Sequence, residues 1–245
     1  MKIHHPSRFL CIALLAAVSA LCAHSQDFTN ADTLKYYNAL NFKMINYAFE
    51  KTLSSRIPAY LKDSVRPDLW DRAKCTTGKA FRFATNSRSV AVRYNLLTNM
   101  HMMHMADTGI KGTSLYIWDE DTHSWQFVNC NRPRRIDSPV RPREDSIQSK
   151  VYVDRLDGKM HEYMLYLPLY DGVRWLEIGV DSTATITQPV LNSPRAGKKI
   201  VFYGTSILQG GCACHPGMVG TNIIQRDLDI ECVNIGISGE VKMDF

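Results

Sequence analysis

The spacing of hydrophobic positions changes three times along this chain. Between 34 and 61, Tyr37, Leu40, Met44, Tyr47 and Ala48 fall at helix-like intervals, but no capping residue marks a start, and no element is assigned there. From Ala80 the period becomes two. Phe81 and Phe83 flank Arg82, and Val90, Val92 and Tyr94 repeat the alternation after a turn at Asn86 and Ser87. Further apolar runs at 115–118, 125–128, 151–153, 163–169 and 176–180 are separated by polar stretches and by Asp157-Gly158 and Asp171-Gly172. Short strands punctuated by turn residues predict an antiparallel β-sandwich of jelly-roll type.

The pattern breaks at 188–199, where two prolines and one glycine read as a linker. Beyond it, 200–203 is a continuous apolar run of the kind buried on both faces, and 204–217 is a glycine-rich loop. Residues 218–228 carry helical spacing through Val219, Ile223, Ile224 and Leu228, and Cys232 to Ile235 form a second apolar strand. Strand, helix and strand in that order predict one crossover in a parallel sheet. The expected organisation is a multi-domain α and β chain. A sandwich over 26–189 precedes, at 198–245, the incomplete start of an α/β/α, flavodoxin-like layer arrangement.

With 245 residues, 45% of them hydrophobic and 22% charged, the chain can bury a sizeable core. Lys2 and Arg8 precede an apolar run over 9–23, and Ala23 and Ser25 supply small residues before Gln26. That is the pattern of a secretory signal over 1–25, so the mature protein is expected in the periplasm or outside the cell. The run is too short to predict a membrane span. The formal charge of +5 owes much to Arg132, Arg134, Arg135, Arg141 and Arg143, interrupted by Pro133, Pro139 and Pro142. No aromatic residues interleave them, so this is read as a solvated, proline-stiffened loop and no nucleic-acid partner is expected.

Seven cysteines less Cys11 and Cys22 of the signal leave five, an odd number that argues against a disulfide-built scaffold. Cys212 and Cys214 are read as small buried thiols, since no second pair stands at ligand spacing. A soft-metal reading of His101-Met102-Met103-His104-Met105 with those cysteines is weaker, because strand periodicity would split the cluster between two faces. No metal and no cofactor is expected.

Candidate chemistry is concentrated in the last fifty or so positions. A nucleophilic serine needs exposure on a tight turn, a base, and donors for the developing oxyanion. Gly204-Thr205-Ser206, leaving an apolar strand, meets the first need. Gln209-Gly210-Gly211-Cys212-Ala213 follows, then Asn234-Ile235-Gly236-Ile237-Ser238-Gly239 after the second strand. This order resembles the first two sequence blocks of the SGNH (GDSL-like) hydrolases. The resemblance implies a serine esterase with Ser206 as nucleophile and the N–H groups of Ser206 and Gly239 as oxyanion donors.

A second string, Gly112-Thr113-Ser114-Leu115-Tyr116, resembles the G-x-D-L-Y signature of an N-terminal domain carried by a bacterial branch of that family, with serine in place of the usual aspartate. His104-Met105 and Thr108-Gly109 before it, and the stretch 162–179 after it, fit the same resemblance. The substrate it implies is a small-molecule or glycan ester, with a short acyl group on a carbohydrate preferred. The family's third block brings an asparagine and its fifth an aspartate and a histidine. Neither is matched before Phe245, so the chain is expected to be truncated relative to the family and inactive alone. His215 is read as a solvated loop histidine, and His104 as a residue of the other domain that faces substrate. The alternative is a non-catalytic glycan-binding sandwich, using Tyr116, Trp118, Trp125 or Trp175, with a vestigial hydrolase segment. Aromatic residues at strand positions more often belong to a core.

Overall fold

The computed structural model describes residues 29–133, 146–193 and 195–242. The signal at 1–25 and Arg134, Arg135, Arg141 and Arg143 lie outside the described residues. The first strands are β1 (Lys35–Asn38), β2 (Lys43–Ile45), β3 (Ala80–Thr85) and β4 (Val90–Leu96). They are followed by β5 (Ser114–Asp119), β6 (Ser124–Cys130), β7 (Ile147–Val153), β8 (His161–Tyr166), β9 (Val173–Val180) and β10 (Ile186–Thr187). One sheet runs β1-β9-β4-β7 and the other β10-β3-β8-β5-β6, with β2 also on β3. Every pairing in both sheets is antiparallel.

The alternation read from sequence sends Phe81, Phe83, Tyr163 and Leu165 of one sheet into the same buried cluster as Val92, Tyr94, Leu176 and Ile178 of the other. Phe83 and Tyr163 stack there with centroids 5.3 Å apart. The opposite face of the second sheet is buried as well. Ile45, Ala80, Tyr116, Met164 and Tyr166 form a second cluster on it. Arg82, which alternates with Phe81 and Phe83 and so lies on this second face, is therefore covered. Its guanidinium donates to Glu162 at 2.9 Å, with the two side chains only 6% and 7% exposed. The Glu162 carboxylate also accepts the N–H groups of Val190 and Leu191. The 188–199 stretch is thus docked at its start rather than a free tether.

Residues 34–61, to which the sequence assigned no element, hold β1, β2 and short 3₁₀ turns, because Tyr36 and Tyr37 pair with Gly179 and Ile178 of β9. Helix α1 (Pro67–Ala73) lacks an apolar stripe. Its sequence mark is proline at the first helical position with Asp68 beside it. A single turn, α2 (Asp107–Ile110), follows later.

The C-terminal segment departs from the sequence expectation. Strand β11 (Lys199–Gly204) pairs in parallel with β12 (Glu231–Gly236), as the sequence predicts, with α3 (Ser206–Gln209) and α4 (Gly220–Leu228) between them. Yet β11 is not buried on both faces. Val201 and Tyr203 are 63% and 62% exposed, because no described element packs on their side. The apolar positions of α4 are not its most buried ones either. Thr221, Asn222 and Gln225 are buried, because this polar side meets the second sheet. There Tyr166 donates its hydroxyl to Gln225, and the Arg226 guanidinium lies 4.1 Å from the Tyr116 ring centroid. Among the described residues no helix is long and apolar enough to cross a membrane.

Candidate active site

Strand β11 ends at Gly204, and the chain turns at Thr205 so that Ser206 opens α3. The Gln209 N–H closes that turn on the Thr205 carbonyl at 3.0 Å. Ser206 is half-buried and lines a cavity of about 340 Å³ together with Ile207, Gly211, Cys212 and Ser238. The other wall comes from the N-terminal sheets and their loops: Arg72, Met102, His104 and Tyr170. The candidate nucleophile therefore stands at a junction between the two parts of the chain.

The second block reaches the same place through backbone contacts. Ile237 N–H donates to the Gly204 carbonyl at 2.9 Å, which sets the loop after β12 beside the exit from β11. Gly236 is required there by space. A Cβ at that position would stand 2.3 Å from the Gln209 nitrogen and 2.8 Å from its Cα. Asn234 ties the same corner, donating to the Leu208 carbonyl at 2.6 Å and accepting the Gly236 N–H at 2.8 Å. Ser238 shares the cavity with Ser206. Gly239 follows it, exposed, with φ of 77°, a conformation open to glycine without steric cost.

Several residues that sequence reading passed over hold this arrangement from the other side. Tyr170, directly after the run at 163–169, donates its hydroxyl to the Ser206 carbonyl at 3.0 Å. The same carbonyl accepts the Gly211 N–H at 2.8 Å. Gln209 is fully buried, giving its amide N–H to the Leu169 carbonyl at 3.1 Å and accepting the Ser238 N–H at 2.7 Å. Arg56 is buried too. Its guanidinium donates to the carbonyls of Asn234 at 3.2 Å, Gly236 at 2.6 Å and Arg72 at 3.0 Å. Burial holds its pKa below the ordinary value. The charged residue after the second block is likewise used: Glu240 pairs with Arg66, whose guanidinium also donates to the Glu240 carbonyl at 2.8 Å.

Among the histidines, His104 is exposed and lines the Ser206 cavity. His101 is engaged elsewhere, with Nδ1 2.8 Å from Asp107. His215 is not a solvated loop histidine. It is half-buried, its ring stacks on Phe127 at 4.6 Å, and its Nδ1 lies 3.0 Å from the hydroxyl of Ser114. Ser114 is fully buried and also accepts the Gly217 N–H at 3.3 Å. The residue that departs from the G-x-D-L-Y pattern thus fastens the loop after Ser206. Cys212 and Cys214, expected to be buried, are exposed, and the Cys212 thiol points at the His104 carbonyl, 3.6 Å away. Of the aromatic residues considered as a glycan platform, Tyr116 is buried and Trp118 packs edge-on against Trp125.

A two-sheet β-rich part is followed by a parallel strand pair that carries a serine on a tight turn. Residues 34–186 match the family described as GxDLY, the N-terminus of esterases of the SGNH hydrolase type, and residues 197–245 match the GDSL-like lipase/acylhydrolase family. The chain belongs to these SGNH-hydrolase-type esterases. A protein of Bacteroides ovatus described as a GDSL-like lipase is 30% identical, with a TM-score of 0.76 over 86% of this chain and 58% of its own. The chain thus spans less than two thirds of that relative. A salicylyl-acyltransferase from a tetracycline biosynthetic pathway shares the fold at 15% identity, with a TM-score of 0.60 over 85% of this chain and 55% of its own. No curated protein matches the chain.

Proposed function

We propose that this chain carries the nucleophile half of a serine esterase site, in which Ser206 attacks an ester carbonyl and forms an acyl-enzyme. The observation that carries the reading is the shared cavity of Ser206 and Ser238, which puts both family blocks at one point. In this reading the N–H groups of Ser206 and Gly239 receive the negative charge that develops on the carbonyl oxygen. The base and a further oxyanion donor come from blocks that the family resemblance places downstream and that this chain does not match. Deprived of a general base, Ser206 would lose roughly 10²–10⁴-fold in rate. The substrate is an ester of a carbohydrate or of another small molecule, met after export.

The same reading takes the paired sheets, at 26–189, as a jelly-roll-like sandwich. Residues 198–245 are the opening of a flavodoxin-like layer arrangement, supported by the parallel register of β11 and β12.

The test is hydrolysis of p-nitrophenyl acetate by two proteins, each beside its Ser206→Ala variant. One is the chain itself. The other is the chain joined to the segment that follows the matched region in the Bacteroides ovatus relative. The joined protein is expected to turn over and its variant not, while the chain alone shows little Ser206-dependent rate. Equal rates for the joined protein and its variant would remove Ser206 from the chemistry.

A further inference from the structure

Among the described residues, the lining of the Ser206 cavity carries a fixed positive charge and no negative one. It contains Arg72 and His104 but neither aspartate nor glutamate. Arg72 stands in the last turn of α1, and the described partner of its guanidinium is the sulfur of Met100, 3.7 Å away. A thioether is a weak acceptor and leaves a planar, always-charged fork almost wholly unspent.

The carboxylates near Arg72 do not fill this need. Asp71 pairs with Lys74 at 2.6 Å. Asp171 turns its oxygens to the N–H groups of Thr98 and Met100, each at 2.9 Å, and of Gly172 at 2.8 Å. Glu240 belongs to Arg66. Asp68 lines the neighbouring cavity that Arg72 and Tyr170 also border, and no ion pair between it and Arg72 is found among the described residues. A cation lining the same cavity as the candidate nucleophile, with Asp71, Asp171 and Glu240 each bonded to another group, is arranged for an anion that arrives with the substrate.

We propose that the Ser206 cavity accepts esters that bear a carboxylate near the ester bond, and that Arg72 is the residue that recognises it. This rests on the esterase reading for the word ester, while the anion recognition itself requires only the cavity. Two oxygens of a carboxylate match two N–H groups of the guanidinium, and a charge-assisted pair of this kind discriminates against a neutral group. The carboxylate can sit on the acyl side, as in a half-ester of a dicarboxylic acid, or on the alcohol side, as in a uronic acid acylated on one of its hydroxyls. The chemistry is shared and the two sources are separable.

The experiment follows binding to the full chain by ¹H–¹⁵N spectra that include arginine side-chain signals. Monomethyl succinate is compared with methyl acetate for the acyl side, and methyl glucuronoside with methyl glucoside for the alcohol side. In one pair the charged member is expected to bind roughly 10-fold or more tightly than the neutral one. The preference is expected to vanish in Arg72→Gln and to survive in part in Arg72→Lys. It should persist in Arg174→Gln, where the lost cation borders only the neighbouring cavity. Unfolding curves of the variants confirm that they are folded, since the side chain of Arg72 makes no other described bond.

Equal binding of charged and neutral members in both pairs would overturn the proposal, as would no binding at all or a preference that outlasts Arg72→Gln. Binding needs no turnover. A preference that depends on Arg72, in a protein whose p-nitrophenyl acetate hydrolysis ignores Ser206, would therefore retain the anion site and sink the esterase reading alone.

Discussion

The hydroxyl of Ser114 lies 3.0 Å from Nδ1 of His215, joining β5 to the loop that follows the candidate nucleophile. Because the Ser114 oxygen also accepts the Gly217 N–H, its own proton is free for Nδ1, which fits a neutral imidazole. Burial first, and then the positive charge of Arg226, hold the pKa of His215 below its ordinary value. The folded state therefore favours the uncharged ring.

The sign of the pH effect follows. This neutral ring supports the fold fully above the unfolded value of about 6.5 and loses its contribution as pH falls through the lower folded value. Thermal unfolding of the wild type should weaken below pH 6.5 more steeply than that of His215→Gln. Parallel pH profiles for the two proteins would exclude His215 as the cause.

Replacing Ser114 by the aspartate of the family pattern reverses this. A carboxylate against Nδ1 favours the imidazolium, so Ser114→Asp is expected to raise the His215 pKa. That contribution is present in full below the unfolded value and is lost as pH rises through the folded one. Titration of the imidazole signals by NMR measures the direction in one experiment.

Tyr170→Phe removes one of the donors to the Ser206 carbonyl and leaves the Gly211 N–H in place. Denaturant unfolding should show a loss of about 1 kcal/mol. In the joined esterase, turnover should fall by no more than about tenfold with KM little changed. A larger fall would give the hydroxyl a role beyond holding that carbonyl.

Gly236→Ala asks the backbone of α3 to move, since its added carbon meets backbone atoms of Gln209 rather than a flexible side chain. The expected cost is about 1–3 kcal/mol, with labelling of Ser206 by an active-site phosphonate in the joined protein slowed more than stability alone explains. Wild-type labelling in this variant would mean that the corner relaxes without disturbing the serine.

Glu162→Ala would strand the buried guanidinium of Arg82 and release the N–H groups of Val190 and Leu191. Removing one partner of such a pair costs about 3–5 kcal/mol. The double change Arg82→Met with Glu162→Leu should cost less than either single loss, read from denaturant midpoints.

The strands were legible in the sequence wherever one face was apolar, from Phe81 to Val180, and so was the order strand, turn with Ser206, helix, strand. What the pattern hid has one physical source. The outer face of the second sheet is covered by the C-terminal segment, so Arg82 and Glu162 appear in the sequence as surface charges and lie in the structure as a buried pair. For the same reason the buried side of α4 is polar, and its spacing misled. Long-range pairing also defeated the helix-like intervals around Tyr37. At the candidate site, the glycine-rich turns that carry Ser206 and Gly239 were legible as turns. Tyr170, Gln209 and Arg56 act through contacts made across the chain, and no local pattern encodes these.

Arg56 has a further consequence. Among the described residues its charge is neutralised by no carboxylate and is solvated instead by carbonyls that belong mostly to β12, far away in sequence. Asn46 likewise accepts the Cys232 N–H at 3.0 Å. If a protease nicks the backbone between 195 and 198, the fragments should still migrate as one particle on a sizing column until denaturant is added. Each piece would otherwise expose polar groups that only the other one satisfies.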